Sequence, residues 1–281
     1  MPILPRASKP MAEVSARPLA AALERIGRVC VDALEEFGYY LALCVECLYW
    51  LAWGGVRRQP VRWSAAVQQM VDIGLAALPI IFMLSFAIGV MLAIQGIHTL
   101  KQFGAQTQVV LGIALSVTRE FGPLMTGIVV AGRSGSALAA RIGTMSINQE
   151  VDALRVMGIN PVRYLVAPVL VAMLVMVPLL ALFADFAALL GGAVFCQIEL
   201  GLSYRAFWDQ GTHFIGVNDI MQGLSKSAVF ALIIALVGVT NGFSVQGGAE
   251  GLGRATTRAV VLSISYIVLA DMVFTYFLNR S

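Results

Sequence analysis

Five long apolar stretches constrain the fold of this chain more than any other feature. Each of them meets or exceeds the roughly 20 residues that a helix needs to cross a bilayer. Hydrophobic residues make up 59% of the 281 residues and charged residues only 12%, whereas about a quarter of a soluble domain is charged. The sequence therefore predicts an all-α integral membrane protein with five transmembrane helices. The predicted spans are 73–98, 107–140, 162–195, 220–242 and 257–278.

The placement of arginine and lysine predicts the orientation of these spans. Basic residues precede the first span, gather between the second and third, and recur between the fourth and fifth, while the opposite connections carry little beyond Lys101 and Arg205. By the positive-inside rule, the N-terminus is cytoplasmic and the C-terminus is on the outer side. The net charge of +3 is small, and the basic residues form no dense patch with aromatics, so nucleic acid is not a predicted partner.

The N-terminal part divides into a tail and a surface helix. Residues 1–18 are rich in proline and basic residues and are predicted to be a disordered cytoplasmic tail. Residues 19–56 carry apolar residues at helical spacing and are predicted to be an interfacial amphipathic helix. Within it, 37–53 is aromatic and interrupted by Glu46, which favours an interfacial or re-entrant placement over a full crossing. Residues 57–281 then form the five-span domain.

Small residues dominate the C-terminal part of the second span. Positions four apart share a helix face, so the sequence places one row at Gly132, Ser136, Ala140 and Thr144 and another at Gly135, Ala139 and Gly143. Rows of this kind let helices approach closely within a bilayer. The segment has no lysine, so a phosphate-binding loop is disfavoured. The prediction is tight helix packing.

A short amphipathic helix is predicted between the second and third spans, at residues 146–157. Ser146 and Gln149 resemble a capping box, and Gly158 is placed to end the helix. Asn160 and Pro161 can cap and start the next span. The alternative is an ordinary polar loop on the membrane surface. The apolar positions are Ile147, Val151, Leu154 and Met157, and the polar ones are Asn148, Gln149, Glu150, Asp152 and Arg155.

Ionisable residues inside the apolar spans are the candidates for a functional site. Each would cost about 2.5–3.5 kcal/mol facing lipid. One interpretation is a polar patch in a substrate path; the other is interhelical ion pairing, for example of Glu120 with Lys226. Asp185, set among alanines, favours pairing, whereas Glu120 and Lys226 favour a path whose apolar wall includes Met125. The candidates are Arg119, Glu120, Asp185, Lys226 and Asp271.

The remaining motifs indicate no catalysis. The chain has no HExxH motif, no serine nucleophile elbow and only two histidines, so no enzyme activity, metal or other cofactor is expected. Cys44 and Cys47 form a CxxC pair without the fold context of a redox site. The outer connection at 196–219, which includes Tyr204, Phe207 and Trp208, is consistent either with a helix on the membrane surface or with a plain loop.

Two long motifs carry a resemblance to a known family. The run EFGPLMTGIVVAGRSGSALAARIGTM at 120–145, with NQEVDALRVMGINP after it, resembles the signature of MlaE/YrbE-type permeases, and GLGRATTRAVV at 251–261 resembles its second signature. The resemblance implies a homodimeric permease subunit of an ABC transporter. Such permeases move phospholipid or related lipids between the bacterial inner membrane and a periplasmic MCE-domain protein. They work with a separate ABC ATPase subunit and often a small STAS-domain protein, and the 146–157 helix would couple to the ATPase.

Two other functions remain open from the residues themselves. The chain could be a passive membrane scaffold that assembles an MCE protein and an ATPase. It could also be an ion-coupled secondary transporter in which Glu120 and Asp271 relay protons, although the halves show no inverted repeat. The costly charges at Glu120 and Lys226 favour the lipid permease.

Overall fold

The computed structural model describes residues 18–53 and 62–278, and in these ranges the chain forms eight α-helices and no β-strand. The tail predicted over 1–18 lies outside the described residues, apart from Pro18. The helices are α1 Pro18–Trp53, α2 Trp63–Lys101, α3 Val109–Ile147, α4 Glu150–Val156, α5 Val162–Leu200, α6 Tyr204–Phe214, α7 Val217–Phe243 and α8 Gly248–Leu278.

Five of the described helices are long and apolar enough to cross a membrane, and they are α2, α3, α5, α7 and α8. The predicted all-α fold with five spans is thus confirmed. Each helix extends beyond its predicted span at one end or both, because hydropathy marks the lipid-facing part, whereas backbone hydrogen bonding continues into the flanking polar residues. The helix α1 is not among the five. The contacts divide the chain after Ala42, and every contact described below lies in the part that begins at Leu43.

Three π-helical turns widen the spanning helices at Val117–Phe121, Ala131–Gly135 and Val162–Val166. Two of these turns end two residues before a proline: Val117–Phe121 before Pro123 and Val162–Val166 before Pro168. A proline has no N–H and its ring would clash with the carbonyl four residues earlier, so a local change in helical pitch accommodates it. Wide turns of this type are common at functional sites. Here they hold Arg119, Glu120 and Arg133.

The closest packing of two spanning helices joins α2 to α5. A Cβ on Gly89 would collide with the Ala188 carbonyl, and one on Gly191 would collide with the Phe86 carbonyl. These two glycines allow the backbones to touch, which is the general role of small residues between transmembrane helices.

The two predicted rows of small residues on α3 have different outcomes. Gly135 and Gly143 pack as expected, because a Cβ on Gly143 would lie 2.6 Å from Leu252 Cδ1 and one on Gly135 would lie 3.0 Å from Ile234 Cγ2. Along the other row, from Gly132 to Thr144, the prediction of tight packing is wrong for the single chain. A Cβ added to Gly132 would have no neighbour within 4 Å. Gly132 and Thr144, the two ends of the row, are both exposed.

The connection at 196–219, predicted to lie on the outer side, contains a helix rather than a plain loop. Ser203 caps α6 by accepting from the Ala206 N–H at 3.3 Å, as serine commonly does at this position. Phe207 is fully buried in a core that includes Val110, and Trp208 stacks on Phe186 at 5.8 Å between ring centres. The aromatic residues thus anchor α6 across the ends of α3 and α5.

Candidate functional site

A charged cluster joins three of the spanning helices. Lys226 Nζ on α7 lies 2.5 Å from Glu120 Oε2 on α3 and 3.0 Å from Asp271 Oδ1 on α8. It also donates to Thr275 Oγ1 at 3.0 Å, and the Thr275 hydroxyl lies 3.1 Å from Glu120 Oε1. We call Glu120, Lys226, Asp271 and Thr275 the charged cluster. It unites three of the five residues predicted for the substrate path.

Burial makes this arrangement costly to disrupt. The Lys226 side chain is 0% exposed, whereas Glu120 retains 30% and Asp271 15%. The three ammonium hydrogens face three oxygens, although Asp271 Oδ1 makes an ionic contact without hydrogen-bond geometry. With both carboxyl groups ionised, the cluster carries one excess negative charge. Removal of the lysine would therefore leave two carboxylates facing each other.

Chain direction places the members of the charged cluster at one level of the bundle. Glu120 follows the start of α3, Lys226 follows the start of α7, and Asp271 precedes the end of α8. At about 1.5 Å per residue, they lie roughly 10–17 Å from those helix ends. These ends are on the same side as α6 and opposite to α4. The cluster therefore lies in the α6-side half of the bundle.

Arg119 belongs to a separate ion pair. Its Nε donates to Asp219 Oδ1 at 2.7 Å, and Asp219 Oδ2 accepts the Gly216 N–H at 2.8 Å at the start of α7. Arg119 and Glu120 thus reach different partners on the same helix, α7. Adjacent residues on a helix point in different directions, so one turn of α3 is fixed to α7 at two points.

Asp185 and Met125 stand outside the charged cluster. The interhelical ion pair favoured for Asp185 is not found among the described residues, and its buried Oδ1 has no hydrogen-bond partner. A Cβ on Gly122 would collide with that oxygen, so Gly122 provides the space for the carboxyl group. Met125 is half-buried one to two turns beyond Glu120.

The predicted helix at 146–157 is real but shorter, at Glu150–Val156. The capping box proposed for Ser146 and Gln149 is wrong, because α3 continues to Ile147 and Gln149 has a left-handed φ of 59°. The long preceding helix therefore keeps Ser146 in its last turn. The end of α4 is as expected: Gly158 has a φ of 75°, and its N–H donates to the Arg155 carbonyl at 3.0 Å.

The outer face of α4 is exposed and mixed in character. Val151 and Leu154 are buried, whereas Val156 is 89% and Met157 64% exposed. Met157, expected with the apolar set, therefore faces outward. All five predicted coupling residues are exposed, including the Asp152–Arg155 pair at 3.0 Å and Asn148, which donates to Glu150 at 3.3 Å. The helix presents these polar groups around two apolar side chains.

Sequence reasoning missed Asp219 and Thr275. Asp219 had a local signal, because an acidic residue in the first turn of a helix interacts well with free backbone N–H groups. Thr275 had none, since a threonine near the end of a spanning helix is ordinary.

Comparison with known proteins gives a consistent relationship. The family model described as Permease MlaE matches residues 66–277. A probable ABC transporter permease protein of Rickettsia felis is 35% identical over 218 residues, which cover 78% of this chain and 84% of the relative. The intermembrane phospholipid transport system permease protein MlaE of Haemophilus influenzae is 32% identical over 210 residues, covering 74% and 80%.

A plant relative has a similar degree of identity. The protein TRIGALACTOSYLDIACYLGLYCEROL 1, chloroplastic, of Arabidopsis thaliana is 33% identical over 217 residues, which cover 77% of this chain and 62% of the relative. The family match contains all five spanning helices almost completely, together with α4 and every member of the charged cluster. On these grounds the chain belongs to the MlaE permease family.

Proposed function

We propose that this chain is the permease subunit of an ABC transporter in the bacterial inner membrane and that it moves phospholipid between that membrane and a periplasmic MCE-domain protein. The names of its relatives support the class of the reaction: the Rickettsia protein is called an ABC transporter permease, and the Haemophilus protein belongs to an intermembrane phospholipid transport system. The five spans supply the membrane part of such a transporter.

The charged cluster is the observation that carries this proposal. Phospholipid headgroups are charged, and their passage through apolar helices requires polar groups inside the bundle. Glu120 is the most exposed of the three charged members, so it is the group best placed to meet a headgroup. A passive scaffold has no need for such costly residues. Met125 and its apolar neighbours on the same helix then form the wall for acyl chains.

The ATPase subunit docks on α4 in this proposal. The exposed polar residues of α4 surround Val156 and Met157, which together make a small mixed surface suited to a protein partner. The concentration of arginines on the α4 side makes that side cytoplasmic, where ATP is present. The N-terminus is then cytoplasmic and the C-terminus periplasmic. A small STAS-domain protein completes the cytoplasmic part.

A second copy of the chain completes the lipid path. The helix α8 carries Asp271, yet only 11% of its most apolar stretch is buried within one chain. Its exposed apolar residues include Val268, Leu269 and Met272. A homodimer that covers this face would enclose the charged cluster between two copies, with lipid between them.

Transport in vesicles tests the proposal directly. The chain is reconstituted with its ATPase and MCE-domain partners, and movement of fluorescent phosphatidylglycerol to or from the MCE protein is followed with ATP or with a proton gradient. We expect lipid movement that needs ATP and falls several-fold in Glu120→Gln. Arg205→Gln is the control, because Arg205 is 93% exposed on α6. Movement driven by the proton gradient alone would support an ion-coupled transporter, and ATP-dependent movement unaffected by Glu120→Gln would place the path elsewhere.

A further inference from the structure

A second polar site lies at the opposite end of the bundle from the charged cluster. A cavity of about 220 Å³ opens between α2, α3 and α5. Gln69 and Asp72 line it from α2, and Arg133, Ser134 and Arg141 line it from α3. We call these five residues the arginine pocket. Its floor is apolar and includes Val169 and Met173 of α5.

The two arginines of this pocket have no carboxylate in direct contact. Among the described residues, no ion pair within 4 Å includes Arg133 or Arg141, in contrast to Arg119. Asp72 is near enough to interact electrostatically with Arg141. Two cations and one carboxylate give the pocket one excess positive charge. Because an uncompensated arginine within a membrane span is costly, an anion is the natural partner.

The depth of the pocket matches the level of lipid phosphates. The helix α3 has 39 residues, so at about 1.5 Å per residue it is roughly 58 Å long and exceeds the ~30 Å hydrocarbon core at both ends. Arg141 lies about 9 Å and Arg133 about 21 Å from the end of α3 at Ile147. Equal protrusion at both ends, about 14 Å each, places one arginine just outside the hydrocarbon and the other just within it.

The chemistry of the pocket fits a phosphate group. Arginine presents a planar set of donors that bind phosphate oxygens in pairs, and Gln69 and Ser134 add neutral hydrogen-bond donors. A water molecule takes up about 30 Å³ in the liquid, so the cavity has room for a phosphate group. Basic pockets between transmembrane helices are known to bind anionic headgroups.

The apolar part of the arginine pocket favours a lipid over a free phosphate ion. Ile73, Val169 and Met173 line the same cavity as the two arginines. A second, apolar cavity of about 320 Å³ is not part of this site, because its α2 residues Gly74 and Leu78 lie about half a turn from Asp72 and Ala76 of the pocket. An anionic group at the level of the lipid phosphates, with apolar residues beside it, fits the headgroup of a phospholipid.

We propose that the arginine pocket binds the phosphate of a phospholipid in the α4-side leaflet. This site is separate from the charged cluster, and its test measures binding rather than movement. The binding proposal is therefore tested independently of the transport proposed above.

Native mass spectrometry of the purified full-length chain tests the proposal. The protein is titrated with dioleoylphosphatidylglycerol, and the expected result is at least tenfold weaker binding in Arg133→Gln/Arg141→Gln. Arg205→Gln, which removes an exposed arginine outside the pocket, is expected to bind as the unmodified chain does. Dioleoylglycerol, which lacks a phosphate, is expected not to compete. Unchanged phosphatidylglycerol affinity in the double variant, or an equal loss in Arg205→Gln, overturns the proposal.

Two further measurements distinguish a lipid phosphate from a free phosphate ion and control for misfolding of the variants. Millimolar inorganic phosphate is expected not to displace the lipid. Displacement of phosphatidylglycerol by inorganic phosphate overturns the lipid assignment in favour of a free anion. Arg133→Lys/Arg141→Lys keeps both positive charges, and we expect its size-exclusion profile to match that of the unmodified chain. We expect this variant to lose part of its affinity for the lipid, because ammonium groups lack the paired donors of arginine. Full affinity in this variant contradicts the paired-donor geometry.

Discussion

Asn160 joins Glu46 to the first turn of α5. Its Nδ2 donates to Glu46 Oε1 at 2.8 Å, and its Oδ1 accepts from the backbone N–H groups of Val162 and Arg163 at 2.8 and 3.3 Å. Arg163 in turn lies over the Trp50 ring, 5.3 Å from its centre. Because Asn160 follows α4 closely, these contacts tie the segment after α4 to the C-terminal part of α1.

Substitutions at Asn160 separate its two roles. Asn160→Ala removes both the helix cap and the bond to Glu46, and we expect it to lower the free energy of unfolding by about 1 kcal/mol or more. Asn160→Asp keeps the cap but places a carboxylate beside Glu46, so only the link to α1 is lost. Thermal unfolding of the purified protein measures both. Equal stability of Asn160→Ala and the unmodified chain would contradict the capping role.

Charge balance in the cluster predicts unequal effects of its variants. Glu120→Gln leaves Lys226 paired with Asp271, so we expect normal folding. Lys226→Met leaves Glu120 and Asp271 as unpaired carboxylates, and loss of one partner of a buried pair typically costs about 3–5 kcal/mol. Thermal stability and yield from membranes measure the difference.

A double variant provides the control for this prediction. Lys226→Met/Glu120→Gln leaves a single carboxyl group, so it should recover part of the stability lost in Lys226→Met. If the double variant is less stable than Lys226→Met alone, the repulsion between carboxylates is not the cause of the defect.

The number and approximate position of the spanning helices could be predicted because hydropathy is a local property. The helix ends could not, since a segment with polar residues such as Ser64, Gln68 and Asp72 continues the helix beyond the apolar stretch. The capping box at Ser146 failed for the same reason: a local motif competed with a helix that continues through it. Tertiary structure, not the motif, determines where α3 ends.

The charged cluster could be predicted only in part. Each intramembrane charge was evident from its cost, and the pairing of Glu120 with Lys226 was among the predicted alternatives. Thr275 joins them from 155 residues further along the chain than Glu120, and such a contact depends on how α8 packs on α3. The separate pairing of Arg119 with Asp219 likewise follows from helix geometry, because neighbouring residues on α3 face different parts of α7.

The thiol of Cys47 is expected to be unreactive at ordinary pH. Burial, followed by the nearby Cys44 and Glu46, raises the pKa of the Cys47 thiol to about 12 from an ordinary 9.0. The reactive thiolate is then only about one part in a thousand at pH 9. Because the unfolded chain loses this proton first, the thiol also lowers the stability of the fold as the pH rises above 9. Mass spectrometry after iodoacetamide treatment at pH 8.5 should show Cys47 unmodified; rapid alkylation would contradict this.

The orientation of the bundle predicts which sites an impermeant thiol reagent reaches. In a chain whose cysteines are replaced by serine, a cysteine at Asp209 on α6 should be labelled in cells whose outer membrane is permeabilised. A cysteine at Asn148, beside α4, should be labelled only after the inner membrane is opened. Both positions are exposed, so burial does not explain a difference. Labelling in the reverse order would invert the proposed topology.

The exposed tip of α4 should govern binding of the ATPase. Val156 and Met157 are exposed apolar residues within a polar surface, so replacing both with serine removes apolar contact area without opening a cavity in the chain. We expect weaker copurification of the ATPase and unchanged thermal stability. Glu150→Lys/Asp152→Lys should also weaken association, by reversing charge on the same face. As a matched control, Val151→Ser replaces a buried valine of the same helix and should lower stability instead. ATPase association that survives both surface variants would remove α4 from the interface.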